Sequence, residues 1–154
     1  MKDVVAILID KDGKILDYRA LNNSIFYPGK AFLLKKLLFG GLRRTKWYVQ
    51  IGRDNQTTYD PDTELSSLSI PITEKRIYFP DEFWKPDVEL DTDNASIKIH
   101  TVFTFKEPVG DIGEAGIVIE EDGSRILLNR VVFNPPVRTV EFSSLSLHFT
   151  VKFI

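Results

Sequence analysis

The hydrophobic positions of this chain repeat mostly every second residue, the period of a strand with one face buried. The last segment is the cleanest case. Leu145, Leu147, Phe149, Val151 and Phe153 alternate with Ser146, His148, Thr150 and Lys152. A second long alternation puts Ile97, Ile99, Thr101, Phe103 and Phe105 on one face, and Ser96, Lys98, His100, Val102 and Thr104 on the other. Trp47, Val49 and Ile51 form a shorter inward set, leaving Lys46, Tyr48 and Gln50 outside. At the start, the β-branched run from Val4 to Ile9 predicts a buried strand. Asp12-Gly13 turns it into a partner over Ile15 to Ala20.

The period changes once, between Lys30 and Phe39. There Leu33, Leu34, Leu37 and Leu38 predict one helical face, with Lys30, Lys35 and Lys36 opposite and Gly40-Gly41 as the stop. Packing of those leucines on a sheet is favoured over a membrane surface, because an isolated helix of about ten residues is marginal in water. Asp60-Pro61 predicts a helical turn. Residues 68–72 and 76–80, each containing a proline, predict short edge strands or extended segments. The acidic, aperiodic stretch between Pro80 and Asn94 contains Phe83-Trp84 and is expected to fold over the body.

The segment from Phe105 to Pro136 organises the remainder. Gly110, Gly113 and Gly116 predict an irregular crossing with close backbone approach, since glycine beside a strand marks bulges and contacts that a Cβ forbids. Asp122-Gly123 predicts a tight hairpin and sets its register. Between two of the glycines, Glu114 either accepts backbone N–H bonds or pairs with Arg130 on the returning strand, pinning the hairpin to the sheet; a plain exposed glutamate is the equal alternative.

These elements predict a mainly β fold: an antiparallel β-sandwich, Ig-like or jelly-roll-like, with one short α-helix. Residues 1–154 are expected to form a single domain, with 1–20 an N-terminal hairpin or contact arm. A chain of 154 residues is long enough to bury a core without a metal or disulfide. It has no cysteine, which removes thiolate zinc sites, cysteine nucleophiles and disulfide scaffolds together. A net charge of -2 argues against a broad phosphate-binding surface, although Arg43, Arg44 and Lys46 interleave with Trp47 and Tyr48. The short apolar run near the N-terminus, interrupted at Asp3, reads as no export signal, and no stretch approaches the length of a membrane span.

Candidate chemistry is sparse. His100 and His148 fall on outward strand positions, where neighbouring strands would bring their rings together to hold a metal with a carboxylate. The bland alternative, a solvent-facing pair, is favoured. The acid runs Asp60, Asp62, Glu64 and Asp87, Glu89, Asp91, Asp93 lack the turn glycine of an EF-hand, with Ala at position 95. No G-x-S-x-G elbow or phosphate loop is present. The expectation is no catalytic residue, no metal and no cofactor. Trp47, Tyr48, Tyr59 and Trp84 remain as contact or sugar-stacking platforms.

The order of several features resembles the structural proteins of bacteriophage tails and collars. The Gly-stopped Leu-rich helix is followed by Trp47-Tyr48-Val49-Gln50-Ile51-Gly52, then a loop holding Asp62-Thr63-Glu64-Leu65. Next come a long strand into Asp111-Ile112-Gly113-Glu114-Ala115-Gly116-Ile117, then Leu127 to Phe133, a proline-containing turn and a terminal alternating strand. The resemblance spans residues 30–154. It implies a small β-sandwich subunit without enzymatic activity, assembled as a homo-oligomeric ring at a tail, neck or collar, or supporting tail fibres. Its implied partners are other virion proteins, with no nucleic acid and no membrane, and its place is the virion, made in the host cytoplasm. The alternative is a carbohydrate- or receptor-binding module of a tail fibre.

Overall fold

The computed structural model describes residues 2–41 and 44–152, with Leu37 described by its backbone alone. Arg43, Phe153 and the side chain of Leu37, each used in the sequence reading, lie outside the described residues. The chain is mainly β, 53% strand, with two antiparallel five-stranded sheets and one short helix, consistent with the expected sandwich class. The strands are β1 (Val4–Ile9), β2 (Ile15–Leu21), β3 (Ser24–Ile25), β4 (Lys46–Gly52), β5 (Pro71–Ile77), β6 (Val88–Asp91), β7 (Ser96–Phe105), β8 (Asp111–Glu121), β9 (Ser124–Arg138) and β10 (Ser143–Lys152); α1 is Tyr27–Phe39. Two compact units divide them, one built from residues up to 22, 77–111 and from 137, the other from 23–76 and 112–136.

The first unit holds the sheet β2-β1-β10-β7-β6. The hairpin expected at 1–20 is part of it: β1 pairs with β10 along its whole length, from Val4 opposite Phe149 to Ile9 opposite Ser144, and β2 is the edge. Asp10 builds the turn, its Oδ1 accepting the N–H groups of Asp12 and Lys14 at 2.9 Å each, while Gly13 takes a φ of 83°. The two long alternations lie side by side as β7 and β10. They bury Ile99, Thr101, Phe103 and Phe105 with Leu145, Leu147, Phe149 and Val151. Transfer of each such apolar side chain out of water contributes about 1.5–3 kcal/mol.

The second unit holds β3-β9-β8-β4-β5. Here strict alternation fails because both faces are covered, and every residue of β8 from Ile112 to Ile119 is buried. One face carries Trp47, Val49 and Ile51 opposite Ile119, Ile117 and Ala115. On the other, Val118 and Leu127 pack with Phe26 and Leu68, and Tyr48, Tyr59 and Leu65 lie against them. Gln50 is therefore buried where the alternation put it outside; its amide accepts the Leu68 N–H at 2.9 Å and donates to Glu74 at 3.1 Å. The Asp122-Gly123 turn has φ values of 50° and 83°, the left-handed pair that a two-residue hairpin needs.

Several local expectations change. Helix α1 begins earlier than its leucines indicate and packs through Phe26, Gly29 and Leu33, leaving Leu34 and Leu38 exposed. Gly29 sets that face: a Cβ there would stand 2.9 Å from the Leu127 carbonyl oxygen, so only glycine lets the first turn lie on β9. Lys36 turns inward to pair with Glu121. Asp60-Pro61 forms a turn closed by Asp60, not a helix. The two proline-bearing edge segments are replaced by one edge strand, β5, which starts at Pro71. The segment 111–121 is a continuous strand, so the crossing anticipated from its glycines is confined to Gly110, at φ 85°.

Candidate functional site

The most densely bonded polar cluster lies on β8 and β9, around Glu114 and Arg130. Both side chains are buried, and the Arg130 Nε donates to Glu114 Oε1 at 3.0 Å. The remaining bonds reach the loop after β4. Glu114 Oε2 accepts the Asp54 N–H at 3.0 Å, while the Arg130 guanidinium donates to the carbonyls of Thr57 at 2.7 Å and Asp54 at 3.0 Å. The same guanidinium lies 4.5 Å from the Tyr59 ring centroid. The expected pair thus fastens a 54–59 loop in addition to joining two strands of the sheet.

Glycines clear the ground for it. A Cβ on Gly113 would stand 2.3 Å from the Arg53 carbonyl oxygen, and one on Gly52 would stand 2.9 Å from the Glu114 side chain. Gly116 leaves the same kind of space for the Asn129 carbonyl, at 2.5 Å. Asn129 in turn accepts the buried Ile117 N–H through its side chain at 2.8 Å. Burial pushes the Glu114 carboxyl above its ordinary range, outweighing the opposing pull of Arg130 and the Asp54 N–H. The loop's own carboxylate behaves oppositely. Asp54 accepts the Ser69 hydroxyl at 2.6 Å and the N–H groups of Gln56 and Thr57, which holds it well below the usual carboxylate range.

A cleft of about 230 Å³ opens beside Arg130, lined in part by Ser24, Phe26, Thr58, Tyr59 and Val132. Its charged neighbour is already committed. Every guanidinium nitrogen donates to a protein oxygen and both carboxylate oxygens accept, so the cluster suits holding a loop better than moving a proton to a ligand.

The two histidines meet in the first unit. His100 and His148 are directly opposed on β7 and β10, with ring centroids 4.1 Å apart and planes 7° from parallel. Ser146 Oγ stands at the edge of both rings, 2.9 Å from His100 Nε2 and 3.3 Å from His148 Nε2. Partial desolvation, and then the charge of His100, lower the His148 pKa from its ordinary value. A Ser–His contact of this length is one component of a nucleophilic site, which also needs a group orienting the base. No carboxylate hydrogen bond to either ring is present among the described residues; Asp87 lines a second cleft with both histidines, and its carboxylate accepts the Tyr78 N–H instead. No group of three or more His, Asp or Glu is placed to hold a metal ion among the described residues.

The aromatic candidates separate by exposure. Trp47 is buried and donates to Thr45 Oγ1 at 3.2 Å, which removes it as a platform: β4 has sheet on both sides and its Trp face is core. Tyr48 is half-buried beneath the Arg125 guanidinium, 4.8 Å from its centroid. Trp84 is 85% exposed and follows Phe83, whose ring meets both Trp84 and Tyr78 at 5.8 Å. Gly110 precedes β8, where its carbonyl accepts the Thr139 hydroxyl at 2.9 Å. Asp122 and Gly123 form the tip of the β8–β9 hairpin.

Sequence reasoning missed the loop partners of Arg130 and the Arg125 network, in which Arg125 bonds Glu74 at 2.7 and 2.8 Å and Glu120 at 3.1 Å. Glu74 lies 51 positions from Arg125 and Asp54 lies 76 from Arg130, where local spacing held no signal; Glu120, five positions from Arg125 across the hairpin turn, was within its reach. Among the described residues no helix is long and apolar enough to cross a membrane. No protein-family model matches the chain, and comparison with curated proteins and with solved structures gives no significant match.

Proposed function

We propose that this chain is a non-enzymatic structural subunit of a bacteriophage virion. In this reading it forms an oligomeric ring at the tail, neck or collar, or supports tail fibres. The observation that carries the assembly half of the reading is the edge strand β2, on which Ile15, Leu16 and Tyr18 are all exposed at the free margin of a five-stranded sheet. Sheet edges and exposed apolar side chains are what β-augmentation uses. The virion half rests on the resemblance of residues 30–154 to tail and collar proteins. Partners in this reading are further copies of the chain and other tail or neck proteins, with no cofactor, nucleic acid or membrane.

The test combines sedimentation of the purified chain with gold-labelled antibody imaging of phage particles. A defined oligomer and label at one axial position are expected. A strict monomer that labels no particle contradicts the proposal.

The exposure of Trp84 favours a second reading, a carbohydrate- or receptor-binding module of a tail fibre. A flat, exposed indole backed by another ring is a suitable surface for a sugar face. On a glycan array this predicts binding that Trp84→Ala abolishes; binding unchanged by that substitution, or none, removes it.

A further inference from the structure

We propose that β2 pairs with the β2 of a second copy, antiparallel, about a two-fold axis passing through Tyr18. This rests on the assembly reading above and supplies a two-fold contact for it; such a contact closes at two copies, so in a ring it joins subunits in pairs and a second surface closes the ring.

The strand reads Ile15-Leu16-Asp17-Tyr18-Arg19-Ala20-Leu21, apolar at both ends with an acid and a base flanking the central tyrosine. Reversal about Tyr18 places Asp17 opposite Arg19 of the other copy and Arg19 opposite its Asp17. Tyr18 then meets Tyr18. A strand of this kind is complementary in charge to itself run backwards.

The placement of the charges makes that complementarity matter. Register with β1 sets Asp17 opposite Leu8 and Arg19 opposite Ala6, on the face where Leu8 and Ala6 are buried. Asp17 and Arg19 bond each other through both carboxylate oxygens, at 2.8 and 3.1 Å, with side chains only 24% and 18% exposed. Inward charge on an edge strand discourages pairing with an arbitrary strand, because an uncomplemented ion is left at the new junction. A reversed copy instead closes an alternating square of two carboxylates and two guanidiniums. On the opposite face Tyr18 lies across from Ile7 and is 59% exposed, so the two tyrosines can stack over the axis. The β1–β2 ladder is regular from Asp17 to Leu21 and Leu16 is the extra residue of a bulge, so Asp17, Tyr18 and Arg19, the three residues the axis needs, lie in its regular part. Antiparallel ladders accept either a hydrogen-bonded or a non-hydrogen-bonded pair at the axis.

Sedimentation equilibrium on the full chain and its charge variants tests the register. Asp17→Arg alone opposes arginine to arginine, and Arg19→Asp alone opposes aspartate to aspartate, so each is expected to weaken self-association by at least about a hundredfold. An equimolar mixture of the two, and the double exchange D17R/R19D, are each expected to restore it. Tyr18→Cys provides a second readout that does not depend on the charge variants folding. In this cysteine-free chain it is expected to give a disulfide-linked dimer on oxidation, whereas Tyr27→Cys, equally exposed at 59%, is not. A wild-type monomer at all concentrations overturns the proposal. So do single variants that associate normally, an exchange that fails to recover, or equal cross-linking at 18 and 27. The two readings fail separately: particle labelling with indifferent charge variants removes the two-fold axis alone, and a solution dimer found on no particle removes the virion reading alone.

Discussion

Two cross-strand pairs, Glu114 with Arg130 and His100 with His148, place chemistry-bearing side chains at contact distance in opposite surroundings. The first is buried, and its charges are consumed by a loop, through three main-chain bonds to Asp54 and Thr57. The second lies on an open strand face, stacked and bridged by one hydroxyl. The difference is in what removal leaves behind. Deleting one member of the buried pair strands a charge away from water; deleting one member of the exposed pair leaves a residue that water can solvate.

Substitution of Arg130 sharpens this contrast most. Arg130→Ala leaves Glu114 without its counter-ion and frees the loop carbonyls, and a loss of about 3–5 kcal/mol is expected in urea unfolding. A loss under about 1 kcal/mol breaks the comparison, since that is the range of a solvent-exposed pair. Next is Gly113→Ala. Its Cβ meets main chain at 2.3 Å, so the 53–57 segment has to move, at an expected cost of about 1–3 kcal/mol by the same measurement. Gly13→Ala meets nothing within 4 Å but holds a φ of 83°, so any loss there reports left-handed strain, which Gly113→Ala does not carry.

The smallest effect belongs to the histidines. His148 has its pKa lowered in the fold, so between that lowered value and the ordinary 6.5 the unfolded chain binds more protons. Stability is therefore expected to fall as pH drops through this window, and His148→Asn is expected to remove the slope. A melting temperature that rises on acidification over the same range contradicts the sign. Glu114 has the opposite linkage. Its raised pKa makes its own contribution decline as pH rises from the ordinary carboxylate value through the raised one.

How far the sequence disclosed these regions follows from which contacts are local. The alternations of β7 and β10 and the Asp122-Gly123 turn depend on neighbours a few positions apart, and all three were legible. Glu114 with Arg130 was legible too, because one tight hairpin joins their strands. The loop that completes their cluster was not, since Asp54 and Thr57 come from the far side of β4. Helix α1 shows the same limit. Its leucines outline one apolar face, yet the close approach allowed by Gly29 turns a different face to β9 and leaves Leu34 and Leu38 in solvent. Gln50 and Tyr48 were assigned to solvent by alternation alone, which carries no information about what covers the second face of a sheet.

The central claim is that buried charge in this chain serves its shape, by seating the 54–59 loop on β8 and β9. A double-mutant cycle of Glu114→Gln and Arg130→Met, followed by urea unfolding, tests it most directly. Coupling of more than about 1 kcal/mol is expected, with the double variant losing less than the sum of the two singles. Strictly additive losses contradict the claim.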